Sequence, residues 1–178
     1  MEILRTISLY VEGKNMPFAV IGGHAVNAYG ISRQTGGLDL VVRGSNKKSW
    51  CELMDKLHFT SDQNDERFAR FRPDVLTGWP IDLMFVDDQT FAKLFDQSIE
   101  MPFGPARARV VSARHLVALK LHAMKHFQEH RFATDFADVA SLLRSGRTGL
   151  SIDDLKALCV RYASLELYER LKNEVPRG

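Results

Sequence analysis

A single acidic residue set inside a run of apolar residues constrains this chain more than any other feature. In Leu38-Asp39-Leu40-Val41-Val42 one carboxylate sits among side chains that read as a buried strand. The arrangement recurs in the third apolar strand, Trp79-Pro80-Ile81-Asp82-Leu83-Met84-Phe85-Val86. A carboxylate carried into an apolar layer must be compensated by hydrogen bonds, a counter-charge or a bound cation. On adjacent strands Asp39 and Asp82 can point to one face and share a divalent ion, and oxygen-only ligands favour a hard ion such as Mg2+. The alternative is that either aspartate caps a strand end or pairs with an arginine.

The first of these strands follows a glycine pair. Phe18–Ile21 reads as a short buried strand ending at Gly22 and Gly23, where missing side chains permit a tight turn and close approach of a ligand to backbone. His24–Tyr29 reads as a helix that Gly30 stops. Around this segment the pattern predicts an opening helix over Ile3–Glu12, a helix over Lys47–Leu57, a strand at Phe68–Arg72 and a helix at Thr90–Phe95. A turn region from Pro102 to Pro105 and a strand at Ala108–Val111 follow. After Val111 the chain reads as wholly helical. Ser112 is the expected N-cap of a helix to about Gln128, with further helices over Arg131–Arg144, Ile152–Ala163 and Leu165–Asn173 and a loop at Gly146 and Gly149. The expected fold class is α/β (α+β): a mixed β-sheet core flanked by helices over residues 1–111, with a C-terminal helical bundle over 112–178 packed on it and forming one wall of a cleft.

Composition adds limits. A length of 178 residues suits one core with a helical annex, and 45% hydrophobic with 26% charged residues is ordinary for a soluble globular chain. A formal charge of +2 from 24 basic and 22 acidic residues gives no argument for nucleic acid. Cys51 and Cys159 stand far apart in apolar helical contexts, as buried thiols in a reducing compartment do. The opening MEILRTISLYVEGK reads as neither a signal peptide nor a membrane span, so the expected location is the cytoplasm, with no membrane partner.

Phe18-Ala19-Val20-Ile21-Gly22-Gly23-His24-Ala25, Gly30-Ile31-Ser32-Arg33-Gln34-Thr35 and Leu38-Asp39-Leu40 together resemble the polymerase-beta-type nucleotidyltransferase superfamily. Within it the order resembles the AbiEii-like branch of toxin-type and uncharacterised nucleotidyltransferases, whose pattern is Gly-Gly, a helix, Arg-x-Thr-x-Asp-x-Asp and a later strand aspartate. The resemblance implies a nucleotidyltransferase-type fold and transfer of a nucleoside monophosphate from a nucleoside triphosphate (NTP) to a hydroxyl acceptor. It implies that Gly22, Gly23, Arg33 and Thr35 hold the triphosphate, as backbone N–H groups facing an anion would allow. It implies Asp39 and Asp82 as Mg2+ ligands and catalytic residues. From the residues alone, Arg33 is equally readable as half of a surface salt bridge.

The chain departs from the pattern at one place. The first aspartate of Asp-x-Asp falls on Gly37, which offers no side-chain ligand and leaves at most a one-ion site. Two readings follow: an enzyme with an altered site, or a degenerate fold retained as a nucleotide-binding or toxin–antitoxin-type module with an antitoxin partner. A third is an antibiotic-modifying nucleotidyltransferase. The resemblance leaves the acceptor open among tRNA, protein and small molecules.

The helical third carries its own polar puzzle. Projected at about 100° per residue, Leu116, Val117, Ala123, Met124 and Phe127 share an arc with Lys120 near its centre. A lysine there must snorkel or meet an anion. The resemblance implies a catalytic or nucleotide-binding role for Lys120 and Asp135, with Asp138 at the second acidic position and Thr134 where the pattern has lysine. His122, His126 and His130 recur every fourth residue but lie off the apolar arc with no partner spaced to complete a metal set, so they read as a solvated face.

Overall fold

The computed structural model describes residues 1–75, 78–125 and 129–176, and of residues 129 and 130 the backbone alone. The expected helix end at Gln128, Phe127 of the apolar arc, His126 and the side chain of His130 fall outside the described residues. The chain forms two compact units: residues 1–28 with 33–111, and residues 29–32 with 112–178.

The first unit is built on a seven-stranded mixed sheet in the order β3-β4-β5-β2-β1-β7-β6. Its strands are β1 (Phe18–Val20), β2 (Leu38–Arg43), β3 (Phe59–Asn64), β4 (Phe68–Pro73), β5 (Ile81–Val86), β6 (Ile99–Phe103) and β7 (Ala106–Val110). The centre pairs β2 in parallel with β5 and antiparallel with β1, and β4 lies antiparallel to β5. The helices are α1 (Glu2–Val11), α2 (Gly22–Ala28), α3 (Lys47–Lys56) and α4 (Asp88–Asp96). Each longer helix turns an apolar stripe inward: Leu4 and Ile7 from α1, Trp50, Leu53 and Met54 from α3, Phe91 and Leu94 from α4 are all buried. Asp87 starts α4 sharply, its carboxylate accepting the Thr90 N–H at 2.8 Å.

Two strands are absent from the sequence reading, and both are sheet edges. Phe59–Asn64 is exposed at every position after its first residue, so it carries no alternation of apolar and polar residues to detect. Ile99–Phe103 includes Pro102, which the sequence places in a turn; an outer strand tolerates the missing N–H because one of its edges needs no partner. A third difference concerns β5, which starts at Ile81 and not at Trp79. Pro80 has no N–H to give to a ladder, and its carbonyl instead accepts Leu38 N–H at 2.9 Å.

The second unit contains α5 (Ala113–Lys125), α6 (Glu129–Arg144), α7 (Ile152–Tyr162) and α8 (Leu165–Leu171). Ser112 Oγ accepts the His115 N–H at 3.4 Å just before α5. A capping box starts α7, with Ser151 Oγ accepting Asp154 N–H at 3.1 Å and Asp154 accepting Ser151 N–H at 3.1 Å. That backbone bond and Arg114 hold the Asp154 carboxyl down at about 2. The buried face of α5 is Leu116, Val117, Lys120, Leu121 and Met124, so Leu121 faces inward where the projection places Ala123, which is exposed. Cys159 is a buried free thiol pushed up to about 11 by desolvation. Among the described residues no helix is long and apolar enough to cross a membrane.

The core of the first unit leans on β2 and β5, where Leu40 and Leu83 are fully buried at matched register. Leu83→Ala is expected to cost about 2–5 kcal/mol through lost burial and an unfilled cavity. Urea denaturation followed by tryptophan fluorescence checks this, and a cost below about 1 kcal/mol would mean the site collapses freely.

Candidate functional site

The parallel pairing of β2 with β5 sets Asp39 directly opposite Asp82, and the antiparallel pairing of β4 with β5 sets Arg70 directly opposite Asp82. Side chains alternate along a strand, so these three residues form one row on one face of the sheet. Their neighbours Leu38, Phe71 and Ile81 are buried on the other face. Arg70 grips Asp82 with both arms: Nε donates to Oδ1 at 2.8 Å and Nη2 to Oδ2 at 2.6 Å. The Asp82 side chain is 15% exposed and that of Arg70 39%. The hydrogen bonds to Asp82, then the charges of Asp82 and Asp39, push Arg70 further above its usual range.

Asp39 is framed by the glycine pair. Ile21 N–H donates to the Asp39 carbonyl at 3.0 Å, carrying the chain past the end of β1 and into Gly22 beside the Asp39 side chain. A Cβ on Gly22 would lie 2.0 Å from Asp39 Oδ2 and 2.8 Å from its Cβ, and Gly22 has φ +63°. Glycine is therefore required twice over, for its backbone conformation and for the space. A Cβ on Gly23 would lie 2.6 Å from Thr35 Oγ1 and 2.8 Å from Arg33 Nη2. Gly22, Gly23, Arg33, Thr35 and Asp39 thus meet, and through Asp39 they join Asp82 and Arg70.

Residues outside the sequence reading support this group. Asn27, on α2, clamps Arg33: its Nδ2 donates to the Arg33 carbonyl and its Oδ1 accepts the Arg33 N–H, both at 3.0 Å. Arg33 Nε donates to the Gln34 carbonyl at 3.2 Å, and Thr35 Oγ1 donates to the Gly37 carbonyl at 3.3 Å. His24 is buried and stacks on Trp79 with ring centroids 4.9 Å apart and planes 24° apart. Burial and then the Arg33 charge hold its imidazole below the usual histidine range, and Nε2 has no hydrogen-bond partner among the described residues. The Asn27 clamp joins α2 to the segment after it, and no spacing in the sequence marks it. The Arg70, His24 and Trp79 contacts depend on strand register and on the β5 start.

The donor set can be tested against the ions that the sequence resemblance implies. Gly37 contributes no side chain, and a Cβ there would sit 3.0 Å from the Pro80 carbonyl oxygen and 3.2 Å from its Cγ. Both oxygens of Asp82 are engaged by Arg70, and among the described residues no group of three His, Cys, Asp or Glu gathers to hold a metal. Two carboxylates, one already occupied by a guanidinium, do not fit a two-ion centre.

In the second unit Lys120 does not snorkel. Its Nζ lies 2.6 Å from Asp135 Oδ1 and 2.7 Å from Asp138 Oδ2, with all three side chains at most 9% exposed. Two turns of α6 thereby present a pair of acids, three residues apart on one face, to a single lysine of α5. The triad carries one net negative charge if all three groups are ionised.

No protein-family model and no curated protein sequence matches the chain. The fold does match solved structures, and it is of nucleotidyltransferase type. The crystal structure of ANT(2'')-Ia in complex with adenylyl-2''-tobramycin gives a TM-score of 0.67 at 13% identity, over 90% of this chain and 95% of that one. An antigenic nucleotidyltransferase-like protein from Paracoccidioides brasiliensis gives 0.59 at 15% identity, over 99% and 93%. The lincosamide antibiotic adenylyltransferase LnuA, lincomycin-bound, gives 0.57 at 13% identity, over 78% and 93%.

Two outcomes are expected from these contacts. Gly22→Ala should destabilise by about 1–3 kcal/mol more than Gly13→Ala, because Gly13 shares the positive φ but has nothing within 4 Å of an added Cβ. Chemical denaturation of the pair isolates the clash from the backbone term, and equal costs would show that Asp39 yields freely. Lys120→Met should cost about 3–5 kcal/mol by removing the cation that faces two buried acids. Adding Asp135→Leu and Asp138→Leu should restore most of that stability in the same assay, whereas a triple variant no better than Lys120→Met would contradict the charge argument.

Proposed function

We propose that this chain is a nucleotidyltransferase-like protein that binds a nucleoside triphosphate at Gly22, Gly23, Arg33 and Thr35, beside Asp39 and Asp82. The observation that carries this reading is the meeting of the glycine pair, a guanidinium, a hydroxyl and a row of carboxylates at one place on the sheet. Glycine lets an anion reach the backbone, and the fork of Arg33 suits phosphate oxygens. The reaction class that goes with this arrangement is transfer of a nucleoside monophosphate to a hydroxyl acceptor, and tRNA, protein and small molecules are the acceptor classes to screen. The names of the similar structures, with their adenylylated tobramycin and bound lincomycin, support beginning that screen with aminoglycosides and lincosamides.

A second reading has an observation of its own. With Gly37 in place of a third acid and Asp82 held by Arg70, the site supports nucleotide binding better than metal-assisted transfer. In that form the protein is a degenerate, AbiEii-like module, with an antitoxin as the partner class. Lys120, Asp135 and Asp138 then hold the helical unit together.

Calorimetry with ATP, in EDTA and again in Mg2+, tests the binding claim. Arg33→Ala is expected to weaken binding about tenfold, the value of a charge-assisted hydrogen bond to phosphate. Absence of heat for any nucleotide would remove the reading altogether. Label transfer from NTPs to tRNA, protein and antibiotics, run on wild type beside Gly37→Asp, then separates an enzyme from a degenerate module: transfer by the variant alone identifies the latter.

A further inference from the structure

The row on the sheet face contains an inconsistency for any account in which a metal ion alone serves Asp39 and Asp82. Two carboxylates on adjacent parallel strands at matched register repel, and the cation beside them in this fold belongs to the chain itself. Arg70 stands opposite Asp82 across the β4–β5 ladder, and both of its bonds, at 2.8 and 2.6 Å, go to the two oxygens a metal would need. We propose that Arg70 is a resident counter-cation of the carboxylate row that excludes divalent ions from Asp39 and Asp82. The proposal deepens the nucleotide reading above and rests on it for the site's purpose, but its chemistry involves the protein and the ion alone.

Three physical terms favour the arginine over a free ion. The guanidinium is delocalised and weakly hydrated, so it gives up little water to enter a site where Asp82 is only 15% exposed. Mg2+ dehydrates reluctantly and demands near-octahedral oxygen geometry, which two carboxylates on neighbouring strands do not supply without added water or phosphate. The guanidinium is also tethered by strand register, so its effective concentration at Asp82 exceeds that of an ion at cellular levels. The paired fork satisfies both Asp82 oxygens with geometry that a single point charge does not match. Removing it frees both Asp82 oxygens beside Asp39, the electrostatic condition for a divalent site. Gly37 fits the same account: a row that holds one fixed positive charge needs fewer acids than one that holds two divalent ions.

The test uses Mn2+ alone, without nucleotide, so that its failure is separate from failure of the ATP calorimetry. Free Mn2+ is followed by electron paramagnetic resonance on wild type, Arg70→Gln and Arg70→Gln/Asp82→Asn, each checked for folding by circular dichroism. Arg70→Gln is expected to bind Mn2+ at least about tenfold more tightly than wild type, and the added Asp82→Asn to abolish that gain, as loss of one charge-assisted partner predicts. Binding by Arg70→Gln no tighter than wild type overturns the proposal, as does a gain that survives Asp82→Asn. Should Arg70→Gln fail to fold, the Arg70 Nε–H resonance of the wild-type protein gives the answer. The proposal requires it to stay unshifted as Mg2+ is raised through the millimolar range, and a shift that saturates there rejects it.

Discussion

The parallel register between β2 and β5 is the constraint on which the rest of the site depends. It brings Asp39 level with Asp82, and because side chains alternate along a strand it also fixes which of their neighbours enter the core. A slip of one residue in either strand would turn its acid into the layer that holds Leu38, Leu40, Ile81 and Leu83. It would also expose apolar side chains that are now fully buried. Apolar burial on one face therefore holds the polar row on the other in place, and the acids are tolerated because the core has already decided the register.

Once the acids are level, their charge has to be managed, and two devices in the first unit do so. Gly22 has no side chain, which lets the turn after β1 close directly against the Asp39 carboxylate. Arg70 delivers two charge-assisted bonds to Asp82 from the adjacent strand. Like-charged carboxylates one interstrand spacing apart repel by roughly 3 kcal/mol at the effective dielectric of a protein surface, so one fixed cation in the row matters to the folded state. The likeness to solved nucleotidyltransferase-type structures is one of fold alone, and the acids of this row are the chain's own. It does not dictate how an individual chain neutralises them.

The second unit handles the same kind of difficulty within helices. Lys120 sits on the buried face of α5 between Val117 and Leu121, and α6 answers it with Asp135 and Asp138 at 2.6 and 2.7 Å. A buried ion group of this kind contributes little net stability compared with apolar packing, yet breaking it is costly because the remaining charges are stranded. Because two acids of α6 reach one lysine of α5, the triad ties these helices to each other.

Much of this was legible in the linear chain. The apolar runs around Asp39 and Asp82, the glycine pair and the helical periodicity after Val111 each carry a local signal, and they are enough to name a mixed sheet and a helical unit. The lysine on an apolar arc also announced that it must either snorkel or meet an anion. The outer strands β3 and β6 were not legible because an edge can be polar and exposed, or carry a proline, at little cost. The grip of Arg70 on Asp82, the Trp79 ring over His24 and the crowding of Gly22 against Asp39 were not legible either. Those contacts join residues from different strands and helices, and pairing across a sheet is set by the packing of the whole layer. The sequence by itself determined that acids would stand among apolar strand residues and where along the chain. Tertiary structure decided what compensates them, because a counter-charge has to arrive through space.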